Sequence, residues 1–456
     1  MNKIQSWDLF DTLIGRKCGT PVRLWEEMGV WLDDPHFVER RIVAEERAKL
    51  IATKVGREYS LRDIYVSMEH PFMLAKDGIE MEFRHELDNV FPIRRYADQL
   101  MEDDIIVSDM YLSEEQLRAL LEAAGIHFGG KIYVSNKGKL DGSMWKRIAR
   151  DHLVAVHTGD HSISDVKMPM RYRIPASLVR TGLNPPEKFY ESHVPGMGWW
   201  LRANRLELLR DDRHIDKLNF LQLEFNLPFL WACCHLLAEF AQREGVRKLL
   251  FMSRDTFLMH NLFINLYPEF ESDYIWISRE CLRTGSDSFM AYLNSLLTED
   301  AALVDIAASC GSLKAALPKL KVSSPRIWTA VFLREPFRVE VEPIRCEYVV
   351  KNNEFRINNT YMEMLNYATH WHVHDIVGFD PIFDLQDEYD MGLVEGYHNI
   401  FRQALDTLPL LKFNDLEDVR VIFEYALGAI QKEGKFLQQV FPKHLLIERT
   451  RKRSLV

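Results

Sequence analysis

One short stretch near the N-terminus decides the fold, SWDLFDTL at residues 6–13. Apolar residues lead into Asp8, and Asp11 and Thr12 follow within the next four positions. The first carboxylate therefore lies where a strand would end and a loop would begin. An aspartate at the carboxyl end of a strand in an α/β protein is well placed to act as a nucleophile or a metal ligand. Because Asp-Thr pairs are also common at turns and helix caps, the rest of the chain decides the meaning of this stretch.

Strand-like and helix-like segments alternate on either side of a large helical insertion. The strands are predicted at residues 4–9, 104–108, 131–135, 153–158 and 175–180, with helices at 114–124 and 143–151. Strands that alternate with helices predict a parallel sheet whose reactive groups lie at the carboxyl ends of the strands. The insertion, residues 22–100, carries apolar residues at helical spacing. Within it, Arg41, Glu45 and Arg47 are spaced near i,i+4, which predicts an exposed ion-paired helix face rather than a substrate contact.

Four strand ends in this region carry polar groups in a consistent order. Asp8 follows the first strand, Ser108 ends the second, Lys139 lies after the third, and Asp160 follows the fourth with Asp165 five residues on. Phosphoryl transfer through an aspartyl-phosphate needs a carboxylate that attacks phosphorus, and a hydroxyl and an ammonium that hold the phosphate oxygens. It also needs carboxylates that hold Mg²⁺.

Each of these residues also has a structural interpretation. Ser108 or the following Asp109 would serve as a cap for the next helix, and Lys139 lies in a polar turn. Asp160 fits a turn and Asp165 fits a helix cap.

The ordered set resembles the haloacid dehalogenase (HAD) superfamily of hydrolases. The family's Asp-x-Asp-x-Thr-Leu motif corresponds to residues 8–13, and its apolar strand ending in Ser or Thr corresponds to residues 105–108. Its motif lysine corresponds to Lys139, with Lys137 as the alternative, and its Gly-Asp motif with a second Asp corresponds to residues 159–165.

The resemblance covers residues 1 to about 180 and implies a domain plan, site residues and a cofactor, Mg²⁺. It implies a Rossmann-like core at 1–18 and 99–182 and a helical cap at 19–98. The implied catalytic residues are Asp8 as nucleophile, Asp11 and Lys139. The implied phosphate-binding residues are Thr12, Ser108, Asp109 and Lys139. The implied metal ligands are Asp8, Asp160, Asp165 and the backbone carbonyl of Phe10.

One position departs from the family pattern. Phosphatases of this family have an acid/base aspartate two residues after the nucleophile, where this chain has Phe10, and phenylalanine cannot move a proton. Asp11 lies one place too late, and on an extended segment its side chain would point elsewhere. Asp11 and Asp109 are the candidates for supplying the proton. A Phe-Asp pair after the nucleophile resembles a subgroup associated with bacterial surface-polysaccharide loci.

A second α/β region begins near residue 217, after a mixed segment at 183–216 that we interpret as a linker. A long apolar helix is predicted at 218–243. Strands are predicted at 248–253, 274–278, 302–306 and 328–333. The sequence therefore predicts a second α/β domain at 217–384 and a helical region at 385–456.

Two loops of this half carry residues suited to an anion. Arg254 and Arg279 each follow a strand that ends in serine, and arginine binds phosphate bidentately. The loop at 305–312 precedes a helix and faintly resembles the phosphate-binding loop of phosphoribosyltransferases, from which Ile306 and Cys310 depart. The candidate anion site comprises Arg254, Arg279, Asp305, Ser309, Gly311 and Ser312. The alternative is an ordinary loop.

The bulk composition limits the possible functions. The chain has 456 residues, a hydrophobic fraction of 47% and a net charge of −10, which argues against broad binding to nucleic acid. Its six cysteines are scattered without a CxxC pair, so neither a zinc site nor a disulfide framework is predicted. No signal peptide or transmembrane segment is predicted, and the apolar segment from Leu227 to Phe240 reads as a buried helix. A cytoplasmic protein is expected.

Together these patterns predict a Mg²⁺-dependent HAD-like phosphatase or phosphotransferase acting on a small phosphorylated metabolite or sugar. The two alternatives are a catalytically degenerate binding or scaffold protein and a two-domain enzyme with a transferase-like C-terminal half. The pattern specifies neither the substrate nor the oligomeric state.

Overall fold

The computed structural model describes residues 3–68, 75–209, 214–333, 343–355, 357–384 and 389–443. The chain forms two compact units. Unit 1 contains Met1–Glu191 and Gly196–Asp212, and unit 2 contains Ser192–Pro195 and Arg213–Val456. Each unit is built on a five-stranded parallel sheet with helices, so the predicted α/β class is confirmed.

The strands of unit 1 are β1 (Ile4–Trp7), β2 (Ile14–Arg16), β3 (Val90–Pro92), β4 (Ile105–Ser108), β5 (Lys131–Val134), β6 (Val154–Gly159) and β7 (Ala176–Leu178). The main sheet has the order β5-β4-β1-β6-β7. β4 and β5 lie on one side of β1, and β6 and β7, which come later in the chain, lie on the other side. In open α/β sheets, ligands bind outside the carboxyl ends of the strands where the order reverses in this way. That point lies beside β1.

The helices of unit 1 are α1 (Pro21–Trp31), α2 (Phe37–Lys54), α3 (Leu61–Val66), α4 (Ala75–Asn89), α5 (Arg94–Ala97), α6 (Glu114–Ala123), α7 (Gly138–Asp141), α8 (Ser143–Asp151), α9 (Met168–Arg171), α10 (Pro185–His193) and α11 (Met197–Leu208), with a π-helical turn at Ser162–Lys167. The segment that we interpreted as a linker thus forms two helices, and α11 belongs to unit 1.

The cap is the helical insertion α1–α4, and it joins the core through a short antiparallel pair, β2 with β3. This pair was not predicted from the sequence. Arg16 on β2 forms a buried ion pair with Glu86 of α4, with Nε 2.9 Å from Oε2. The two chain segments that enter and leave the cap are therefore tied to each other by backbone and side-chain bonds.

Arg41 corrects the expectation of an exposed charged face on α2. Its side chain is fully buried and forms a forked pair with Glu82 of α4, with both N–O distances at 2.8 Å. The Tyr111 hydroxyl lies 3.0 Å from the same guanidinium, and Glu45 lies at its more open end. Helical spacing alone did not show that Glu82, on a different helix, covers this cation. Arg47 is exposed, as expected.

The strands of unit 2 are β8 (Lys248–Met252), β9 (Glu271–Ile275), β10 (Ala301–Ala308), β11 (Arg326–Phe332), β12 (Arg345–Lys351), β13 (Val373–Val377) and β14 (Asp380–Phe383). Its main sheet has the order β12-β11-β10-β8-β9. The first strand again lies inside the sheet, with β9 on one side and the later strands on the other. The order therefore reverses between β8 and β10.

The helices of unit 2 are α12 (His214–Leu221), α13 (Leu227–Glu244), α14 (Phe257–Leu266), α15 (Arg279–Thr284), α16 (Asp287–Leu296), α17 (Gly311–Ala316), α18 (Asn352–Phe355), α19 (Asn359–Leu365), α20 (Met391–Asp406), α21 (Leu416–Lys432) and α22 (Gly434–Val440), with a π-helical turn at Gln222–Asn226 and a 3₁₀ turn at Leu317–Lys319. The described part of the predicted helical region at 385–456 is helical, and residues 385–388 and 444–456 lie outside the described residues.

One strand prediction in unit 2 was inaccurate, and three strands were not predicted. β9 ends at Ile275 because Ser278 already serves as the N-cap of α15, accepting a bond from the Cys281 amide. The strand β12 and the hairpin β13–β14 were not predicted, because their side chains alternate irregularly between polar and apolar types.

The long apolar helical stretch of unit 2 lies in the core. Among the described residues, Lys217–Glu244 alone has the length and composition to cross a membrane, and 83% of its most apolar window is buried by the surrounding protein. This matches the expectation of a buried helix.

Replacing Arg41 by Met should lower the free energy of unfolding by about 3–5 kcal/mol, because Glu82 would remain buried without its partner. Chemical denaturation measures the change. The matched control is Arg47→Met on the same helix, which should change stability by less than about 0.5 kcal/mol because that side chain is exposed. If the two substitutions lower the free energy of unfolding equally, the Arg41–Glu82 ion pair does not stabilise the fold.

Candidate functional site

Asp8 lies at the point where the strand order of unit 1 reverses. Its amide donates to the Thr158 carbonyl oxygen of β6 at 2.8 Å, and its side chain is only 7% exposed. The hydroxyl of Thr12, one turn further along the loop, donates to Asp8 Oδ2 at 3.2 Å. Thr12 therefore orients the carboxylate, whereas the sequence motif had placed it among the phosphate-binding residues.

Lys139 is the centre of the site. Its Nζ lies 2.5 Å from Asp8 Oδ1 and 2.5 Å from Asp165 Oδ1, and it donates to the Val107 carbonyl oxygen at 3.2 Å. The side chain is 1% exposed, whereas the alternative lysine, Lys137, is exposed. The structure therefore selects Lys139 as the lysine of the site.

A group of three carboxylates surrounds this ammonium. Oxygen atoms of Asp8, Asp160 and Asp165 all lie within 4.8 Å of one another. Asp165 also accepts the His161 amide at 2.9 Å, so it stabilises the turn as well as facing the site. When all three are ionised, three carboxylates and one ammonium leave a surplus of two negative charges. Hard oxygen ligands with this surplus fit a divalent cation such as Mg²⁺.

The ionisation of these carboxyl groups reflects the same surplus. Burial raises the pKa of Asp8 to about 7, and the charges of Asp165 and Asp160 add to the rise. Burial also raises the pKa of Asp160 to about 6, with contributions from Asp11 and Asp165. For Asp165, burial is outweighed by the hydrogen bond from His157 and the charge of Lys139, so its pKa is lowered.

His157 is part of the site and was not predicted. It is fully buried within β6, with Nδ1 2.8 Å from Ser6 Oγ and Nε2 3.4 Å from Asp165 Oδ1. Burial lowers the pKa of His157 to about 4, so the ring is neutral near pH 7. A neutral ring that donates from Nε2 to Asp165 and accepts from Ser6 holds the carboxylate in place. A histidine within a largely apolar strand is the sequence signal that could have indicated it.

Ser108 ends β4, the strand beside β1, and Asp109 follows it directly. Ser108 is buried, and no described group forms a hydrogen bond with its hydroxyl. The N-cap of α6 is Ser113, which forms a capping box with Gln116, so neither Ser108 nor Asp109 serves as that cap. Burial raises the pKa of Asp109, and the charge and backbone amide of Lys139 oppose the rise. Both side chains are therefore available to the site.

Phe10 has a packing role. Its ring lies 3.9 Å from the Arg16 guanidinium, which is itself paired with Glu86 of the cap. No described donor bonds to the Phe10 backbone carbonyl oxygen, so this atom is available as a metal ligand. Phe10 thus links the loop that follows β1 to the base of the cap.

The side chain and backbone of Asp11 are fixed in position by contacts with other residues. It has a φ of 54°, a left-handed conformation that aspartate tolerates better than most residues. Its Oδ1 lies 2.5 Å from Nη2 of Arg202 on α11, and its carbonyl oxygen accepts from the Thr181 hydroxyl. Arg202 also donates to the Thr181 carbonyl oxygen. These contacts fix Asp11 through residues that lie far away in sequence.

The predicted anion site of unit 2 is brought together only in part. A single cavity is lined by five of its six residues, Arg279, Asp305, Ser309, Gly311 and Ser312. Arg254 is instead placed over the rings of Tyr367 and Tyr389, with its guanidinium carbon 5.3 and 5.6 Å from their centres. The cavity also contains the carboxylate of Asp255, which the sequence analysis did not include.

The raised pKa of Asp8 predicts how the stability of the metal-free protein depends on pH. Because its pKa is raised, the Asp8 carboxyl group binds its proton more tightly in the folded protein than in the unfolded chain. This proton stabilises the folded state fully below the unfolded pKa near 4, and the contribution is lost as the pH rises through about 7. Asp8→Asn removes the charge. In EDTA, the free energy of unfolding of the variant, relative to that of the parent protein, should therefore rise by roughly 2–3 kcal/mol from pH 5 to pH 8.

Thermal or chemical unfolding at the two pH values measures this difference. The control is Asp103→Asn, an exposed carboxylate of the same unit, which should show no such trend. If the free energy of unfolding of Asp8→Asn differs from that of the parent protein by the same amount at pH 5 and at pH 8, the raised pKa of Asp8 is contradicted.

Comparisons with known proteins do not assign the chain to a family. No model of a known protein family matches the sequence. No curated protein matches it either.

Proposed function

We propose that unit 1 is a HAD-like phosphatase or phosphotransferase that acts on a small phosphorylated metabolite or sugar with Mg²⁺. The observation that carries the proposal is the buried cluster in which the Lys139 ammonium lies 2.5 Å from both Asp8 and Asp165. A merely structural ion pair would need one carboxylate, whereas this cluster keeps a surplus of negative charge at the carboxyl ends of the strands.

In the proposed reaction, the Asp8 carboxylate attacks phosphorus and the bond from phosphorus to the leaving oxygen breaks. Thr12 holds one Asp8 oxygen and Lys139 the other, which leaves the carboxylate in a single orientation. The Ser108 hydroxyl and the Lys139 ammonium supply hydrogen bonds to the phosphate oxygens. Water, or a second acceptor, then takes the phosphoryl group from Asp8.

The cation is proposed to be held by Asp8, Asp160, Asp165 and the carbonyl oxygen of Phe10. When bound, Mg²⁺ supplies positive charge that lets an anionic nucleophile approach an anionic phosphate. His157 supports this role by fixing the orientation of Asp165.

The leaving oxygen needs a proton, and we assign its donor as Asp109. Asp11 is paired with Arg202, which fixes its position. Asp109 has a raised pKa and lies beside the nucleophile at the end of the neighbouring strand. A carboxyl group whose pKa is raised toward neutrality is the better general acid.

A binding or scaffold role is the second candidate, and the Phe10 contact favours it. Phe10 packs on Arg16 at the base of the cap, so the residue type at this position is explained by structure without any catalytic demand. In that case the cluster would bind a metal or a phosphate group without turnover.

Assays of a panel of phosphate monoesters with Mg²⁺ separate the two candidates. The enzyme reading predicts phosphate release that stops on chelation and falls by more than about 10⁴-fold in Asp8→Asn, because the nucleophile is lost. Asp103→Asn is the control and should retain full activity. Metal binding with no turnover of any ester would favour the scaffold, and activity that persists in Asp8→Asn would contradict the proposed nucleophile.

Asp109→Asn should reduce turnover by about 10²–10⁴-fold with an alkyl phosphate, whose leaving group needs a proton. The loss should be much smaller with p-nitrophenyl phosphate, whose leaving group is stable as an anion. Asp11→Asn, the matched comparison, should reduce turnover equally with both esters. If the dependence on the leaving group appears in Asp11→Asn instead, the two roles are reversed.

A further inference from the structure

Unit 2 has a cavity at the point where its own strand order reverses. The lining comes from the loops that follow β8, β9 and β10, and it includes Asp255, Arg279 and Asp305. About 130 Å³ of this space is open to water. A concave site at this position of an open parallel sheet is where a small molecule is expected to bind.

Two carboxylates of the cavity have few partners. Asp305 accepts one weak bond, from the Ala307 amide at 3.3 Å, and no described group forms a hydrogen bond with the Asp255 carboxylate. Burial raises the pKa of Asp305 to about 6. Burial also raises the pKa of Asp255, and the nearby charge of Glu363 adds to the rise. Both groups would be stabilised by donors that a ligand brings.

The same cavity contains donors. The hydroxyls of Ser309 and Ser312 form no hydrogen bond with any described group, and the Arg279 side chain is 60% exposed with its Nη2 3.9 Å from Glu363. The other two serines are used by the fold, since Ser253 bridges to Ile277 and Ser278 caps α15. The lining therefore contains both donors and acceptors.

This arrangement does not suit an anion or a metal ion. Two carboxyl groups line the cavity with only one guanidinium, and Arg254 lies over tyrosine rings rather than in the lining. Within the described part of the chain, Asp255 and Asp305 do not belong to any group of three metal-ligating side chains. The earlier expectation of an anion site is therefore replaced by a different ligand class.

We propose that this cavity binds a neutral, hydroxyl-rich small molecule, a sugar or polyol, whose hydroxyls donate to Asp255 and Asp305 and accept from Ser309, Ser312 and Arg279. Hydroxyl groups both donate and accept, so one ring satisfies both kinds of lining group. The site is separate from the phosphoryl-transfer site of unit 1 and does not depend on its activity.

Saturation-transfer NMR on the full-length protein tests the proposal with free hexoses, pentoses and inositols as probes. At least one probe should bind, and Asp255→Asn and Asp305→Asn should each weaken its Kd at least about tenfold. The control is Glu395→Gln, an exposed carboxylate of unit 2, which should leave Kd unchanged. Asp8→Asn should also leave it unchanged, which separates this result from any failure of the unit 1 proposal.

A second variant covers the case in which the Asn variants do not fold. Ser309→Phe fills the cavity and keeps both carboxylates, and it should abolish sugar binding. The proposal is overturned if no probe binds, or if a bound probe is insensitive to all three substitutions. It is also overturned if inorganic phosphate alone binds, and binds through Arg279, because the cavity would then be an anion site.

Discussion

The ion cluster of Lys139 with Asp8 and Asp165 is the interaction on which the rest of unit 1 depends. A buried ammonium and buried carboxylates are each costly to remove from water and are tolerated only together. The cluster joins the end of β1, the short helix α7 and the π-helical turn after β6. Burial, with the charges of Asp165 and Asp160 adding to it, raises the pKa of Asp8, and the grouped carboxylates are the reason for the expected cation.

The two main sheets differ in strand order, but both place their first strand inside the sheet and carry polar side chains at the strand ends. In both sheets the first strand lies inside and the order reverses beside it, so loops from two strands open a space at their carboxyl ends. In unit 1 an ammonium fills the space between the carboxylates. In unit 2 the carboxylates Asp255 and Asp305 face an open cavity with hydroxyls and one guanidinium. The first arrangement suits a metal and a phosphate, and the second suits hydroxyl groups.

Sequence reasoning could predict the parts of the site that follow strand ends, such as Asp8 and Ser108, because strands and their loops are local features. It could not predict that Arg202, 191 residues from Asp11, would bind that carboxylate. The burial of Arg41 by Glu82 depends in the same way on how two helices pack. The residues that the sequence missed are therefore partners brought together by tertiary packing. The order of the strands in each sheet, which differs between the two units, also cannot be read from the pattern of strands along the chain.

The central claim is that Asp8 becomes phosphorylated, and the mass of the protein tests it most directly. After incubation with Mg²⁺ and acetyl phosphate, mass spectrometry of the intact chain and of its peptides should show one added phosphoryl group on the peptide that contains Asp8. The adduct should be absent in Asp8→Asn. An adduct located on another residue, or no adduct while Mg²⁺ is bound at the cluster, would contradict the account.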